Sequence, residues 1–566
     1  MIRKKPILMV VIIVVIIVLA FFAVQLIKKY TPTNERADLT QVFGLDDNVN
    51  DSEIAAIVDE ALVEENSAVY DGNVYINLTT IQNNINDKFY WDANENVLIF
   101  TTPTDVIKVA TGSKDYYVNK NKNSMEYTIV KAEGSKVYVA AEFVKKFSGI
   151  EYTLFSDPGR VNITSTWGEI TVADVKKNKQ IRVKGGIKSP IIADVKKGDT
   201  LIILEQMDDW TKVCAEGGYI GYIQNRYLSD VRTQERVSDF EEPVYSSIRK
   251  EGRVNLVWHQ VNNTTANGYL TDMTAGTKGI NVVSPTWFAL SDGDGNISSL
   301  AQKSYVDRAH QLGYEVWALI ADFSDADTAG NYVSQVLPYT SKREKLVNKI
   351  ISYAIEYDLD GINVDFEKVA LENGRDYLQF LRELSIKCRN NNIILSIDNY
   401  VPSPWTEYYD IGQQGQIADY VVIMAYDEYA GSSAEAGPVA SIGFVNKAIT
   451  DSLAMMDSSK IILGIPFYTR VWKESGDEVT SNSYDMKTID SIVANNGLTA
   501  TWLDDMGLNY CEYESEGATY RIWIEDEKSI ELKLKSMMDN NLAGAAFWKL
   551  GMETPEIWDV VIKYIN

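Results

Sequence analysis

Residues 7–24 form an unbroken apolar run rich in Val and Ile, about the length needed to cross a bilayer. Arg3, Lys4 and Lys5 precede it, and Lys28 and Lys29 follow. The short basic terminus predicts a cytoplasmic tip, with residues 1–30 as tip and transmembrane anchor and the remaining chain outside the membrane. No small-x-small cleavage site follows the run, so an uncleaved anchor is expected rather than a removed signal peptide. Residues 31–51 are polar and read as a stalk.

Between residues 51 and 165 one pattern occurs twice. Asn73-Val74-Tyr75-Ile76 is followed by Phe89-Tyr90-Trp91-Asp92 and Val97-Leu98-Ile99. Lys136-Val137-Tyr138-Val139 is followed by Glu151-Tyr152-Thr153-Leu154 and Val161-Asn162-Ile163. Each unit reads strand, short helix, strand, turn, strand, which makes an α+β repeat. Residues 166–230 carry short apolar stretches separated by turn residues, the pattern of a small β-barrel. Residues 231–250 are acidic, polar and Pro-containing, and predict a linker.

From Arg253 the rhythm changes. Short apolar strands are expected at 254–259, 279–288, 315–322, 361–367, 393–399, 420–426, 460–467 and 544–549. Amphipathic runs such as 302–312, 343–357, 374–390 and 529–540 lie between them. Eight strands with crossover helices over residues 251–566 predict an α/β fold, the (β/α)8 TIM barrel. Extra chain between Lys473 and Asp526, with strands at 499–504 and 519–524, predicts a small insertion after strand seven.

One stretch combines strand pattern with chemistry: Asp360-Gly361-Ile362-Asn363-Val364-Asp365-Phe366-Glu367. Ile362, Val364 and Phe366 fall on one strand face, and Asn363, Asp365 and Glu367 on the other. An amide and two acids in a row are costly to bury without partners or a task. Carboxylates spaced i, i+2 perturb each other's ionisation, so one can stay protonated near neutral pH and serve as a general acid. Alternation alone equally allows a solvated edge strand with its acids turned outward.

Composition narrows the choices. The formal net charge is -25 and the sequence pI about 4.6, which argues against nucleic-acid partners. Cys214, Cys388 and Cys511 have no ligand-like spacing, and core thiols are expected. With only His259 and His310 in the chain, a His-based metal centre or a Ser-His-Asp triad is poorly supported, and no cofactor or metal is expected.

The acidic stretch resembles the Asp-x-x-Asp-x-Asp-x-Glu signature of glycoside hydrolase family 18, matched at Asp360, Asp365 and Glu367 and departing at Asn363. Met424-Ala425-Tyr426-Asp427, the run Gly464-Ile465-Pro466-Phe467-Tyr468-Thr469-Arg470-Val471-Trp472, and a strand ending at Trp548 follow in the family's order. Ser284-Pro285-Thr286-Trp287-Phe288 and Trp317–Asp322 resemble the branch of spore-cortex and peptidoglycan N-acetylglucosaminidases. The repeat at 51–165 is similar to the N-terminal module of copper amine oxidases, and 166–230 to a bacterial SH3 domain, with Gly198-Asp199 in a turn and Trp210 before a strand.

The resemblance implies a retaining, substrate-assisted reaction in which the sugar's own 2-acetamido oxygen attacks the anomeric carbon. Glu367 would be the acid and then the base. Asp365 would hold the acetamido N–H, and Tyr426 would donate to its oxygen. Asn363, Met424, Asp427, Trp548 and Tyr468 would line the subsite, Trp548 as an aromatic floor under the sugar. An Asp at 363 could share a proton with Asp365. An Asn cannot, so a shifted pH profile is expected. The partners implied are a glycan, peptidoglycan favoured over chitin, a cell-wall peptide through the SH3-like module, and the membrane through the first helix. A non-catalytic carbohydrate-binding or cell-wall scaffold protein is the alternative, and the presence of Glu367 argues against it.

Overall fold

The computed structural model describes residues 5–45, 52–323 and 332–565; Arg3, Lys4 and the boundary at Asp51 lie outside them. The chain divides into two compact units, one of residues 1–90 and 109–242 and one of residues 91–108 and 243–566.

In the first unit, the helix Lys5–Tyr30 contains the stretch Leu8–Tyr30, long and apolar enough to cross a membrane, with no part of it buried. The stalk expectation fails beyond it. Ala37 N–H donates to Ile191 O and Ile191 N–H to Glu35 O, each at 2.8 Å, so this segment lies along the strand Ile191–Val195. Phe43 and Leu45 are buried against Ala55 and Ile57. Burial of these side chains, with Leu39 packed beside them, favours the folded-back segment.

The repeat has the expected order. The helices Leu78–Asn84 and Ala141–Ser148 each follow a strand, Asn73–Asn77 and Lys136–Ala140, and those two strands pair antiparallel. The second module is a seven-stranded antiparallel sheet. One of its two edge strands is Arg232–Arg236, paired with Gly168–Asp174, so the start of the predicted linker is ordered sheet.

In the second unit eight parallel strands close a barrel: β1 (Val254–His259), β2 (Val282–Leu290), β3 (Glu315–Ala321), β4 (Gly361–Asp365), β5 (Ile394–Tyr400), β6 (Tyr420–Met424), β7 (Ile461–Pro466) and β8 (Gly544–Trp548). Pairing of β1 with both β2 and β8 makes the closure. Alternation sorts the side chains. Ile362 and Val364 of β4 join the outer core beneath the helices, whereas Val254, Leu256, Trp258, Trp317, Leu319, Tyr420 and Val422 fill the inside. The ring of Trp317 stacks on Tyr420 with centroids 5.5 Å apart. Residues 243–250, expected as linker, are held by this floor: Ile248 N–H donates to Asp419 Oδ1 at 2.6 Å and Lys250 N–H to Tyr420 Oη at 2.9 Å.

Several strand ends differ from expectation by one to three residues, and at two boundaries the local cause is visible. β4 stops at Asp365 because the next amides leave the ladder: those of Glu367 and Lys368 donate to the Asp322 carboxylate at 3.3 and 2.7 Å. The insertion starts at Tyr468 rather than Lys473. Phe467 N–H turns to Trp548 O, and Tyr468–Ser475 then becomes a strand of a separate five-stranded sheet.

Candidate active site

The row of acids on β4 lies at the C-terminal end of the barrel, where the βα loops converge. Asp360, the first residue of the motif, is at the opposite end. Its Oδ2 accepts Val316 N–H at 2.8 Å and lies 2.8 Å from His310 Nε2, tying β4 to β3. Its part in this structure is a strand tether.

Asn363 is buried and fully bonded. Its Oδ1 accepts Trp258 Nε1–H at 2.9 Å and Ser284 Oγ–H at 3.1 Å, and its Nδ2 donates to Ser396 Oγ at 2.9 Å and Asp398 Oδ1 at 2.7 Å. The carboxamide thus links β1, β2, β4 and β5. One step further out, Asp365 is buried with Oδ1 unpartnered among the described residues. Burial, then the charges of Glu367, Asp398 and Asp322, hold its carboxyl well above the usual carboxylate range.

Glu367 follows, half-buried and just beyond the strand. Tyr400 Oη–H donates to its Oε2 at 2.6 Å. Asp322, at the end of β3, fixes the Glu367 backbone by the amide bonds already described, and burial pushes its own carboxyl up to about 6. Tyr426 stands beyond β6. Its phenol is raised far above 10, first by burial and then by Tyr468, Asp365, Asp398 and Glu367, which places it among the acids as a neutral donor. Gly464 on β7 makes room for it: a Cβ there would sit 3.3 Å from the Tyr426 ring and 2.8 Å from Ile423 O.

Met424 is buried at the end of β6, and Asp427 is exposed beyond it in a left-handed conformation with φ +56°. Asp427 Oδ1 accepts Tyr468 Oη–H at 2.5 Å and Arg470 Nη2–H at 2.7 Å. Trp548 closes β8, its ring centroid 5.8 Å from that of Trp258. The structure therefore brings Asn363, Asp365, Glu367 and Tyr426 to one end of the barrel with Met424, Asp427, Tyr468 and Trp548 at the ends of neighbouring strands. The acids and phenols are suited to proton transfer at an oxygen held between Glu367 and Tyr426.

Residues 322–553 match the family described as Glycosyl hydrolases family 18. The barrel is a glycoside hydrolase family 18 domain. Residues 57–163 match the copper amine oxidase N-terminal domain and residues 180–229 the bacterial SH3 domain. The chain is 25% identical over 293 residues to the uncharacterized glycosylase YvbX of Bacillus subtilis, covering 50% of this chain and 84% of that protein. It is 30% identical over 259 residues to the putative sporulation-specific glycosylase YdhD of the same organism, covering 43% of this chain and 59% of that protein. The crystal structure of the Bacillus cereus spore cortex-lytic enzyme SleL shares the fold, with a TM-score of 0.51 and 21% identity over 59% of this chain and 78% of that one.

Sequence reasoning passed over three residues of this glycoside hydrolase site: Asp322, Asp398 and Tyr400. Asp322 follows β3, Tyr400 ends β5 and Asp398 lies two residues before that end, and that position was the available signal. An inward-facing polar residue at the C-terminal end of a barrel strand is a site candidate whether or not it belongs to a motif. His259 is no part of the acid cluster. Its Nδ1 lies 3.0 Å from Tyr305 Oη, and burial, with Lys549 nearby, pulls the imidazole down to about 4, so it is neutral at physiological pH.

Proposed function

We propose that the chain is a membrane-anchored, extracellular glycosidase that cuts β-linked N-acetylglucosamine-containing glycan, peptidoglycan in preference to chitin, with retention and with assistance from the substrate's acetamido group. Glu367 protonates the leaving oxygen and then activates water. Asp365 receives the acetamido N–H, and Tyr426 donates to the acetamido oxygen. Asn363, Met424, Asp427, Tyr468 and Trp548 shape the subsite around the distorted sugar.

The observation that carries this reading is the placement of Glu367: at the open end of the barrel, with a phenol on Oε2 and a buried acid two residues behind it. Such surroundings suit a carboxyl that must both give and take a proton. The preference for a wall glycan rests on the segments at β2 and β3 and on the names of the relatives, a sporulation-specific glycosylase and a spore cortex-lytic enzyme. Anchoring rests on the stretch Leu8–Tyr30. In this reading the short basic N-terminus is cytoplasmic and the SH3-like module meets wall peptide.

The test is to incubate the full chain, and its Glu367→Gln variant, with N-acetylglucosamine oligomers and with purified peptidoglycan. Product masses should show cleavage at N-acetylglucosamine by the parent and none by the variant. Equal cleavage by both would remove Glu367 from its role.

A further inference from the structure

The barrel beneath Glu367 holds an acid that the motif does not supply. The β4–β5 register pairs Asn363 with Ser396 and Val364 with Ile397. The next step sets Asp365 beside Asp398 on neighbouring strands, about 4.8 Å apart. Val364 and Ile397 lie in the outer core, so alternation turns Asp365 and Asp398 inward. Both are buried. Asp398 Oδ1 is fixed by Asn363 Nδ2–H at 2.7 Å. Asn363 has no bonding capacity left, its two N–H groups and both lone pairs of its oxygen being in use. Asp365 Oδ1, by contrast, has no partner among the described residues.

We propose that Asp398 is a positioning residue for this site: a carboxyl on β5 that stands in for the acid missing at position 363 and shares one proton with Asp365 across the β4–β5 pair. Two carboxyls side by side in a low-dielectric interior do not both ionise near neutral pH. The groups acting on this pair are Asp322 just after β3, Glu367 beyond β4, Tyr400 at the end of β5, Tyr426 beyond β6 and Tyr377 of the helix behind β4, all acids or phenols. Only the N–H groups of Asn363 and Trp258 favour charge on Asp398, and burial outweighs them, so both carboxyls stand well above the usual carboxylate range. The shared proton lets Asp365 change its charge as the charge on Glu367 changes, without a second buried anion forming.

The experiment compares the full chain in detergent with Asp398→Asn, Asp365→Asn and the exchange variant Asn363→Asp/Asp398→Asn, which keeps an amide–acid pair but moves the acid to β4. Infrared difference titration should detect a carboxylic acid still protonated at pH 7 in the parent. It should be absent from each single variant and present again in the exchange variant. The kinetic arm rests on the reading of the site as an N-acetylglucosaminidase. There Asp398→Asn should lower kcat on the order of tenfold with KM within about twofold, and the exchange should recover most of the loss and the parent's acid limb. A protonated acid that persists in Asp398→Asn overturns the proposal, as does an exchange variant that restores neither signal nor rate. The infrared arm needs no turnover. A parent that hydrolyses no oligomer would sink the substrate reading and still leave the shared proton decided.

Discussion

Tyr400 Oη–H donates to Glu367 Oε2 at 2.6 Å, joining the last residue of β5 to the loop that follows β4. A bond of this length holds the carboxyl in one orientation. The acceptor, Glu367, is only half-buried, so removing the Tyr400 hydroxyl does not strand a fully buried partner. Tyr400→Phe is expected to lower kcat/KM on the order of tenfold with the melting temperature unchanged. Parental kinetics on N-acetylglucosamine oligomers would show that the bond has no part in turnover.

Asp322 makes a prediction about pH. Its folded-state value of about 6 lies above the unfolded carboxylate, so the folded chain binds more protons between pH 4 and 6. The stabilising contribution is fully present below pH 4 and is lost as pH rises through 6, about 2–3 kcal/mol in all. The melting temperature of the parent should therefore fall relative to that of Asp322→Asn across this window. A difference that stays constant from pH 4 to 7 would contradict the assignment.

Lys533 Nζ lies 2.7 Å from Glu525 Oε2, with side-chain exposures of 1% and 0%. The pair joins the end of the insertion strand Ala518–Ile524 to the helix Glu527–Asp539. Lys533→Met or Glu525→Gln alone strands a buried partner and should cost about 3–5 kcal/mol, and the double variant clearly less than the sum. Urea unfolding of the four proteins measures this, and additive losses would count against coupling.

The helix Thr340–Tyr357 has no side-chain cap from Tyr339. Asp92 Oδ2, from the hairpin of residues 91–108 that belongs to the barrel's unit, accepts both Thr340 N–H and Thr340 Oγ1–H at 2.6 Å. Asp92→Ala should destabilise the barrel by about 1–2 kcal/mol and Asp92→Asn by less. Thermal unfolding checks it, and an unchanged transition in Asp92→Ala would rule the cap out. A barrel truncated just before Arg253 loses the same cap.

The barrel was readable because each inward–outward alternation had apolar weight on one side. Ile362, Val364 and Phe366 disclosed the face that Asn363, Asp365 and Glu367 oppose. What escaped were pairings between distant segments. Nothing near Asp398 in the chain indicates that Asn363 will donate to it from 35 positions away, and Asp92 serves a helix 248 positions downstream. Strand ends escaped for a related reason: whether Glu367 continues β4 is decided by Asp322, just past the end of another strand, not by local propensity.

The segment after Tyr30 governs reach. Left loose, the 21 residues from Thr31 to Asp51 could extend roughly 70 Å at the limit of an extended chain. Instead Thr33 N–H donates to Ile187 O at 2.9 Å, and Lys188 Nζ bonds the carbonyl oxygens of Lys28 and Thr31. The leash is reeled in within three residues of the helix end. If that helix lies in a bilayer, the SH3-like module rides at the lipid surface, with almost no slack between the two.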